Sequence, residues 1–152
     1  FATAMDLMDR RPVESVLSVS ADALLARMKE FNQASAGYKT TGGEHSAALC
    51  NAERILVYRE DIGRHNAVDK VIGHITLNKT QTREAFLLTS GRVSSEIVFK
   101  TRRAGLALLA SRSAPTNQAV RHAREMKLTL AGFVRGRRMN IYSGEDRLQT
   151  SD

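Results

Sequence analysis

Apolar positions recur every three to four residues through Leu24, Leu25, Met28 and Phe31, while Arg27, Lys29 and Glu30 fall on the opposite face. This spacing predicts an amphipathic helix, and Ser20 stands where its first turn needs a cap. The pattern then shifts to short apolar blocks. The segment from Gly42-Gly43 to Cys50 and the run Ile55-Leu56-Val57-Tyr58, separated by Asn51-Ala52-Glu53, predict a β-hairpin. A second helical period follows through Val68, Val71, Ile72, Ile75 and Leu77. Beyond it, strands are expected at Ala85 to Leu88, Leu106 to Ala110 and Leu128 to Gly132, with helices near Ser94 to Ala104 and Pro115 to Met126. Pro115 suits a first helical turn, and a last run around Met139 to Tyr142 adds an edge strand. Short, wholly apolar strands alternating with helices point to a sheet with parallel segments buried on both sides. The expected fold class is therefore α/β, a mixed sheet with helices on both faces.

Phe1 to Ser18 has no regular period and contains the break Arg10-Arg11-Pro12, so it is expected to be a connector from something upstream. Residues 19–152 then form one domain, which suits a chain of 152 residues with enough apolar content for a single core. Because the sequence opens on Phe1, a longer parent protein is expected. The formal charge of +7 favours anionic partners, whether nucleotides, nucleic acid or acidic membranes. No apolar run approaches the roughly 20 residues of a spanning helix, so no membrane role is expected. Aromatic residues, 5% of the chain, are too sparse for a base-stacking platform, which argues against a nucleic-acid partner. The single cysteine, Cys50, forbids an internal disulfide and fits a reducing, cytoplasmic compartment.

In an open α/β sheet, ligands bind beyond the carboxyl ends of the strands. The loops expected there are Arg59-Glu60-Asp61-Ile62-Gly63-Arg64-His65, Thr89-Ser90-Gly91-Arg92-Val93-Ser94-Ser95, Ser111-Arg112-Ser113 and Phe133-Val134-Arg135-Gly136-Arg137-Arg138. Each carries an arginine and three carry a glycine. Small residues let backbone N–H groups approach a phosphate, helix N-termini add partial positive charge, and guanidinium forks bond phosphate oxygens in pairs. Taken singly, such a loop can be a turn with solvated charge; four on one edge make a polyanion site. Thr89 to Ser95 is the strongest single case, although it is neither a Walker loop nor a dinucleotide fingerprint.

Metal chemistry is less favoured. Cys50 stands alone and His45, His65, His74 and His122 are scattered, unlike the close pairs of a zinc site. Glu44, His45, Asp61 and His65 are near enough in sequence to cluster, but loop histidines more often serve as hydrogen-bonding groups. His74 and His122 are expected on helix surfaces or in packing, and Asp69 and Lys70 on a polar helix face. Cys50 closes the run Ala47-Ala48-Leu49 and is expected in the core, not as a nucleophile.

Four strings in order, Thr41-Gly42-Gly43-Glu44-His45-Ser46-Ala47-Ala48, Glu60 to Lys70 (EDIGRHNAVDK), Leu88 to Glu96 (LTSGRVSSE) and Gly132 to Tyr142 (GFVRGRRMNIY), resemble the FdhD family. The resemblance runs from about Ser18 to Tyr142 and covers the C-terminal part of a family member. It implies a three-layer, cytidine deaminase-like core and a homodimer. It also implies a sulfur carrier for formate dehydrogenase, taking sulfur from a cysteine desulfurase and passing it to the molybdenum bis-guanine-dinucleotide cofactor before insertion. Deaminase chemistry is not implied, since the zinc-binding His and Cys-x-x-Cys pattern is missing, and no zinc is expected.

By this resemblance Phe133, Val134, Arg135, Gly136, Arg137 and Arg138 correspond to the family's guanine-nucleotide segment, for which GDP is a natural mimic. The loop argument extends the expected site to Gly91, Arg92 and Ser94, and to Asp61, Arg64 and His65. Arginines would neutralise pyrophosphate; Asp61 would bind a guanine edge or ribose, or cap the following helix. Family sulfur transfer uses a Cys-x-x-Cys pair on an upstream loop, which this sequence does not contain, so no catalytic residue is expected in the chain and the pair is expected before Phe1. The alternative is a zinc-independent nucleotide or nucleic-acid binding module without sulfur transfer.

Overall fold

The computed structural model describes residues 11–37 and 45–150. The expected connector residues 1–10, and Thr41 to Glu44 with its Gly42-Gly43 pair, lie outside them. Among the described residues eight strands and four α-helices follow in order: β1 (Val19–Ser20), α1 (Ala21–Gly37), β2 (His45–Cys50), β3 (Ile55–Asp61), α2 (Arg64–Asn78), β4 (Phe86–Thr89), α3 (Ser95–Arg103), β5 (Leu108–Ser111), α4 (Asn117–Glu125), β6 (Thr129–Arg135), β7 (Arg138–Ser143) and, after a 3-10 turn, β8 (Leu148–Gln149).

Six strands form one sheet in the order β3-β2-β4-β5-β6-β7. The central strands β4, β5 and β6 are parallel, and all four residues of Phe86–Thr89 and of Leu108–Ser111 are buried, as expected of strands covered on both faces. The flanks are antiparallel: β2 pairs with both β4 and β3 on one side, and β7 with β6 on the other. Asn51 closes the β2–β3 hairpin, its Oδ1 accepting from the N–H groups of Glu53 and Arg54.

Alternation along each strand sends successive side chains to opposite layers. Ala47, Leu49, Leu87, Leu109 and Leu130 pack with Val68, Val71, Ile97 and Ala123 from α2, α3 and α4. Ala48, Cys50, Phe86, Leu88, Leu108 and Ala110 pack with Leu24, Met28 and Phe31 from α1. The molecule is thus three layers, three helices against one face and α1 against the other, the expected mixed sheet with helices on both faces.

Local details differ from expectation for identifiable reasons. Arg27, placed outward by helical spacing, is 9% exposed; its guanidinium donates to the Ala52 carbonyl and pairs with Glu30. Pro115 precedes α4 instead of opening it: Thr116 is the cap, its Oγ1 accepting from Ala119 N, while Pro115 bridges Val93. Residues 11–18 carry no regular structure but are fixed to the core, with Val13 N donating to Met126 O and the buried Arg147 reaching Val13 O. The principal change is at Phe133 to Arg138, expected as a loop. β6 instead runs through Arg135 and turns at Gly136-Arg137 into β7, with Arg135 opposite Arg138. Gly136, at the first turn position, has φ +61°, the left-handed value a two-residue hairpin turn demands there.

Candidate functional site

Strand direction decides what meets at one edge of the sheet. Because β4, β5 and β6 are parallel, Thr89, Ser111 and Gly132 end at the same rim. Antiparallel pairing brings His45, the start of β2, and Asp61, the end of β3, opposite one another at that rim, and β7 begins there with Arg138. All four arginine-bearing segments therefore leave the sheet on one side. Their junctions are bonded together: Ser111 Oγ donates to Gly91 O at 2.7 Å, and Phe133 N donates to Ser113 O at 3.1 Å.

On the α1 face of the rim the chemistry is cationic. Arg112 leaves β5 half-buried and donates through Nη1 to Asn32 Oδ1 of α1 at 3.0 Å. Arg135 lies beside it, Nη2 donating to the Arg112 carbonyl at 3.2 Å. Burial, and secondarily the like charge of Arg135, lower the Arg112 guanidinium from its ordinary value, the Tyr58 phenol acting the other way. It nevertheless stays a cation across the biological range. Arg135, Gly136 and Arg137 form one wall of an open cavity of about 780 Å³, whose other wall is α1 through Leu25, Met28, Lys29 and Asn32. Among the described residues, none of Arg112, Arg135, Arg137 or Arg138 is held in an ion pair. Behind Arg112, hydroxyls form a chain: Tyr58 Oη, whose proton goes to the Glu60 carboxylate, lies 3.2 Å from Ser35 Oγ, and Ser35 Oγ lies 2.7 Å from Ser46 Oγ. Burial and the Glu60 carboxylate, 2.7 Å from Oη, push the Tyr58 phenol up, so it remains a neutral donor.

Across the sheet end, the starts of α2 and α3 lie side by side. His65 links them, Nε2 3.2 Å from Ser94 Oγ and Nδ1 3.1 Å from Glu96 Oε2. Ser94 caps α3, its Oγ accepting from Ile97 N. Asp61 accepts from Gly63 N and pairs with Lys70 at 2.9 Å; the Lys70 ammonium and then the Gly63 amide hold its carboxyl down at about 2. Gly63, not Asp61, is the N-cap of α2 and no side chain caps that helix; Asp61 orders the turn leading into it by accepting from the Gly63 amide. Gly91 is buried against Arg64, where an added Cβ would lie 2.9 Å from Arg64 Cβ and 3.3 Å from His45 Nδ1. The loop thus passes α2 more closely than a side chain permits. Arg64 and Arg92 are exposed at this end of the rim. No three His, Cys, Asp or Glu side chains among the described residues are grouped to hold a metal ion. No described helix is long and apolar enough to cross a membrane.

Comparison with known proteins places the chain as a whole. A family model described as FdhD/NarQ matches residues 1–149. The chain belongs to the FdhD/NarQ family. The sulfur carrier protein FdhD of Bacillus subtilis (strain 168) is 40% identical over 149 residues, 98% of this chain and 57% of that protein. That of Listeria monocytogenes serovar 1/2a is 45% identical over 132 residues, 87% of this chain and 51% of that protein. A crystal structure of a formate dehydrogenase accessory protein from Desulfotalea psychrophila superposes with a TM-score of 0.86 at 29% identity, covering 96% of this chain and 62% of that one. The chain spans about half the length of the FdhD relatives it matches.

Within this FdhD/NarQ fold the expected residues fall into two groups on opposite faces of the sheet end. Arg135, Gly136 and Arg137 line the α1 cavity, and Phe133 and Arg138 are exposed beside it. Val134 is fully buried and belongs to the α1-side core, so it supports the hairpin and offers no side chain to a ligand. Gly91, Arg92, Ser94, Asp61, Arg64 and His65 gather at the α2 and α3 starts. Arg112 and Asn32 are the important additions. Arg112 was legible as the arginine of a post-strand loop; Asn32 carries no signal, since it occupies the polar side of an ordinary amphipathic helix.

Proposed function

We propose that this chain is the cofactor-holding part of a formate dehydrogenase accessory protein that works in the cytoplasm. Its cargo is the molybdenum bis-guanine-dinucleotide cofactor, with diphosphate oxygens against Arg112, Arg135 and Arg137 and the remaining ligand surface along the α1 cavity. Arg64 and Arg92 extend the positive rim, Gly91 lets the backbone approach, and Asp61, His65 and Ser94 fix the helix starts. The whole protein, a homodimer, takes sulfur from a cysteine desulfurase, passes it to the cofactor and delivers the cofactor to formate dehydrogenase. Cys50 takes no part in the sulfur step, because its side chain is buried in the core.

One observation carries this reading: Arg135 and Arg137 on one wall of an open cavity at the strand ends, with Arg112 bonded beside Arg135, none of the three in an ion pair among the described residues. Such a cluster is matched to a polyanion and to little else. The relatives named sulfur carrier protein FdhD and the neighbour described as a formate dehydrogenase accessory protein support the accessory role. Isothermal titration with GDP at low salt is the test. Wild-type protein should bind one GDP per chain, and Arg112→Gln or Arg135→Gln should each weaken it about tenfold or more, the usual cost of losing a charge-assisted hydrogen bond. Absence of GDP binding by folded wild-type protein overturns the proposal.

A further inference from the structure

The contacts among Ser94, His65 and Glu96 exceed what a helix start requires. A cap needs only an acceptor: Thr116 caps α4 with its own hydroxyl, and α2 begins at Gly63 with no side-chain cap. Ser94 Oγ accepts from Ile97 N at 3.4 Å, but it also lies 3.2 Å from His65 Nε2, while His65 Nδ1 lies 3.1 Å from Glu96 Oε2. The direction of these bonds follows from the groups themselves. A carboxylate only accepts, so in the neutral imidazole the proton stands on Nδ1 and is donated to Glu96. Nε2 is then a bare acceptor, and the Ser94 hydroxyl donates to it. Glu96 is held in turn, its other oxygen 3.3 Å from the Lys100 ammonium, which pairs with Asp69 at 2.9 Å. The line from Asp69 to Ser94 thus ends in a hydroxyl with a base at hydrogen-bond distance and a carboxylate behind the base, the relation that makes a serine nucleophilic. Reagents can reach it: Ser94 is partly exposed, and the His65 and Glu96 side chains are 32% and 48% exposed.

We propose that Ser94 is a nucleophile, with His65 its general base and Glu96 the positioning residue, in a second centre that cleaves carboxylic esters bearing an anionic group. This centre lies on the α2 and α3 side of the sheet end and uses none of the guanidiniums of the α1 cavity. Ser94 Oγ attacks the ester carbon, forming a C–O bond as its proton passes to His65 Nε2. Collapse breaks the bond to the alcohol oxygen, which leaves with that proton. Water, deprotonated by His65, then attacks the acyl-serine, releasing the acid and returning the proton to Ser94. The Ser95 amide, next after the nucleophile, is one of the N–H groups that a helix start leaves without an internal partner, and it supplies a donor for the oxyanion. Arg64 and Arg92, exposed at this end of the rim, favour a negatively charged substrate.

The test is covalent labelling joined to ester turnover. Diisopropyl fluorophosphate should add to Ser94, the new O–P bond displacing fluoride, as read by intact mass and peptide mapping. Ser94→Asn, which caps as well as serine, should keep the thermal midpoint within about 2 °C and form no adduct. His65→Gln should label at least about 10² more slowly, the usual worth of a general base. With 4-nitrophenyl hydrogen succinate, Glu96→Gln should lower kcat about tenfold or more and leave KM within about twofold, a split that loss of a merely structural contact does not produce. Wild type should prefer this anionic ester to 4-nitrophenyl acetate by about tenfold in kcat/KM, and Arg92→Gln should reduce the preference. Folded wild type without an adduct at Ser94 overturns the proposal, as does labelling of His65→Gln at the wild-type rate. Equal kcat/KM for the two esters overturns the substrate class. GDP binding reads the α1 face, so its outcome leaves this centre untouched.

Discussion

Cys50 is the one thiol in the chain, and its surroundings predict that it is chemically silent. It ends β2 with 0% exposure, packed in the layer between the sheet and α1. Burial pushes the thiol from 9.0 up to about 12, against a smaller opposing pull from Arg27. At pH 8 an ordinary thiol with the 9.0 value is about one-tenth thiolate, whereas one near 12 is thiolate in roughly one molecule in 10⁴, a suppression of about 10³. Iodoacetamide labelling followed by intact mass should therefore be at least about 10³ slower in native buffer than in concentrated guanidinium, quite apart from restricted access. The same shift has a stability consequence. A folded-state value raised above the unfolded one leaves stability unchanged below 9.0 and erodes it as pH rises towards about 12. The slope is about 1.4 kcal/mol per pH unit in that window, and it should be absent from the alkaline limb of Cys50→Ala. Native labelling at a rate near the denatured one would refute the burial argument, as would a persulfide at Cys50 after incubation with a desulfurase and cysteine.

Two further perturbations test how the rim and its supports are held. Asp61, kept at about 2 by Lys70 and the Gly63 amide, contributes stability above its ordinary 3.8 that is lost as pH falls through about 2; thermal midpoints measured across that interval should fall for wild type and stay flatter for Asp61→Asn. Gly136 and Gly144 share left-handed backbone, φ +61° and +63°, but a Cβ on Gly136 meets nothing, whereas one on Gly144 meets Thr129 Oγ1 and lies 2.8 Å from Thr129 Cα. Gly136→Ala should cost about 1 kcal/mol, a midpoint drop of about 2–4 °C, and Gly144→Ala several times more by differential scanning calorimetry; equal losses would mean that the close approach to Thr129 carries no cost.

The central sheet was legible because its strands state their environment plainly. Phe86–Thr89 and Leu108–Ser111 are apolar enough to be buried on both faces, and helices α1 and α2 show their period. Two misplacements have a common origin: charged residues were taken as solvent-facing. Arg27 is buried because a carbonyl in the β2–β3 turn and Glu30 satisfy its guanidinium, a long-range partnership that no spacing reveals. Arg135 to Arg138 look like a loop because three arginines around a glycine lack strand alternation, yet a bulge at Phe133 and Val134 and the tight turn at Gly136 continue the ladder to the rim. The arginine loops themselves were readable one by one. Their separation onto two faces was not, since that depends on the bulge that restores Val134 to the core and on the packing that brings Asn32 of α1 to Arg112.

The strand order gives the rim its asymmetry, and with it a division of labour. Helices follow β3, β4 and β5 on the same side of the sheet, so two of their N-termini, at Arg64 and Ser95, meet over the ends of β2 and β4 and are joined there by His65. That side is already furnished with carboxylates: Asp61 is engaged by Lys70, and Glu96 by His65 and Lys100. Among the described residues the opposite side has α1, which brings an amide, Asn32, to Arg112; its Asp22 lines the far part of the cavity but makes no ion pair with Arg112 or Arg135. Burial is the main cause that lowers the half-buried Arg112 guanidinium, and the adjacent Arg135 adds a smaller push in the same direction, so their proximity is mildly unfavourable for the free fold. Under the proposed function, a polyanion entering the α1 cavity relieves that repulsion as well as making its own contacts.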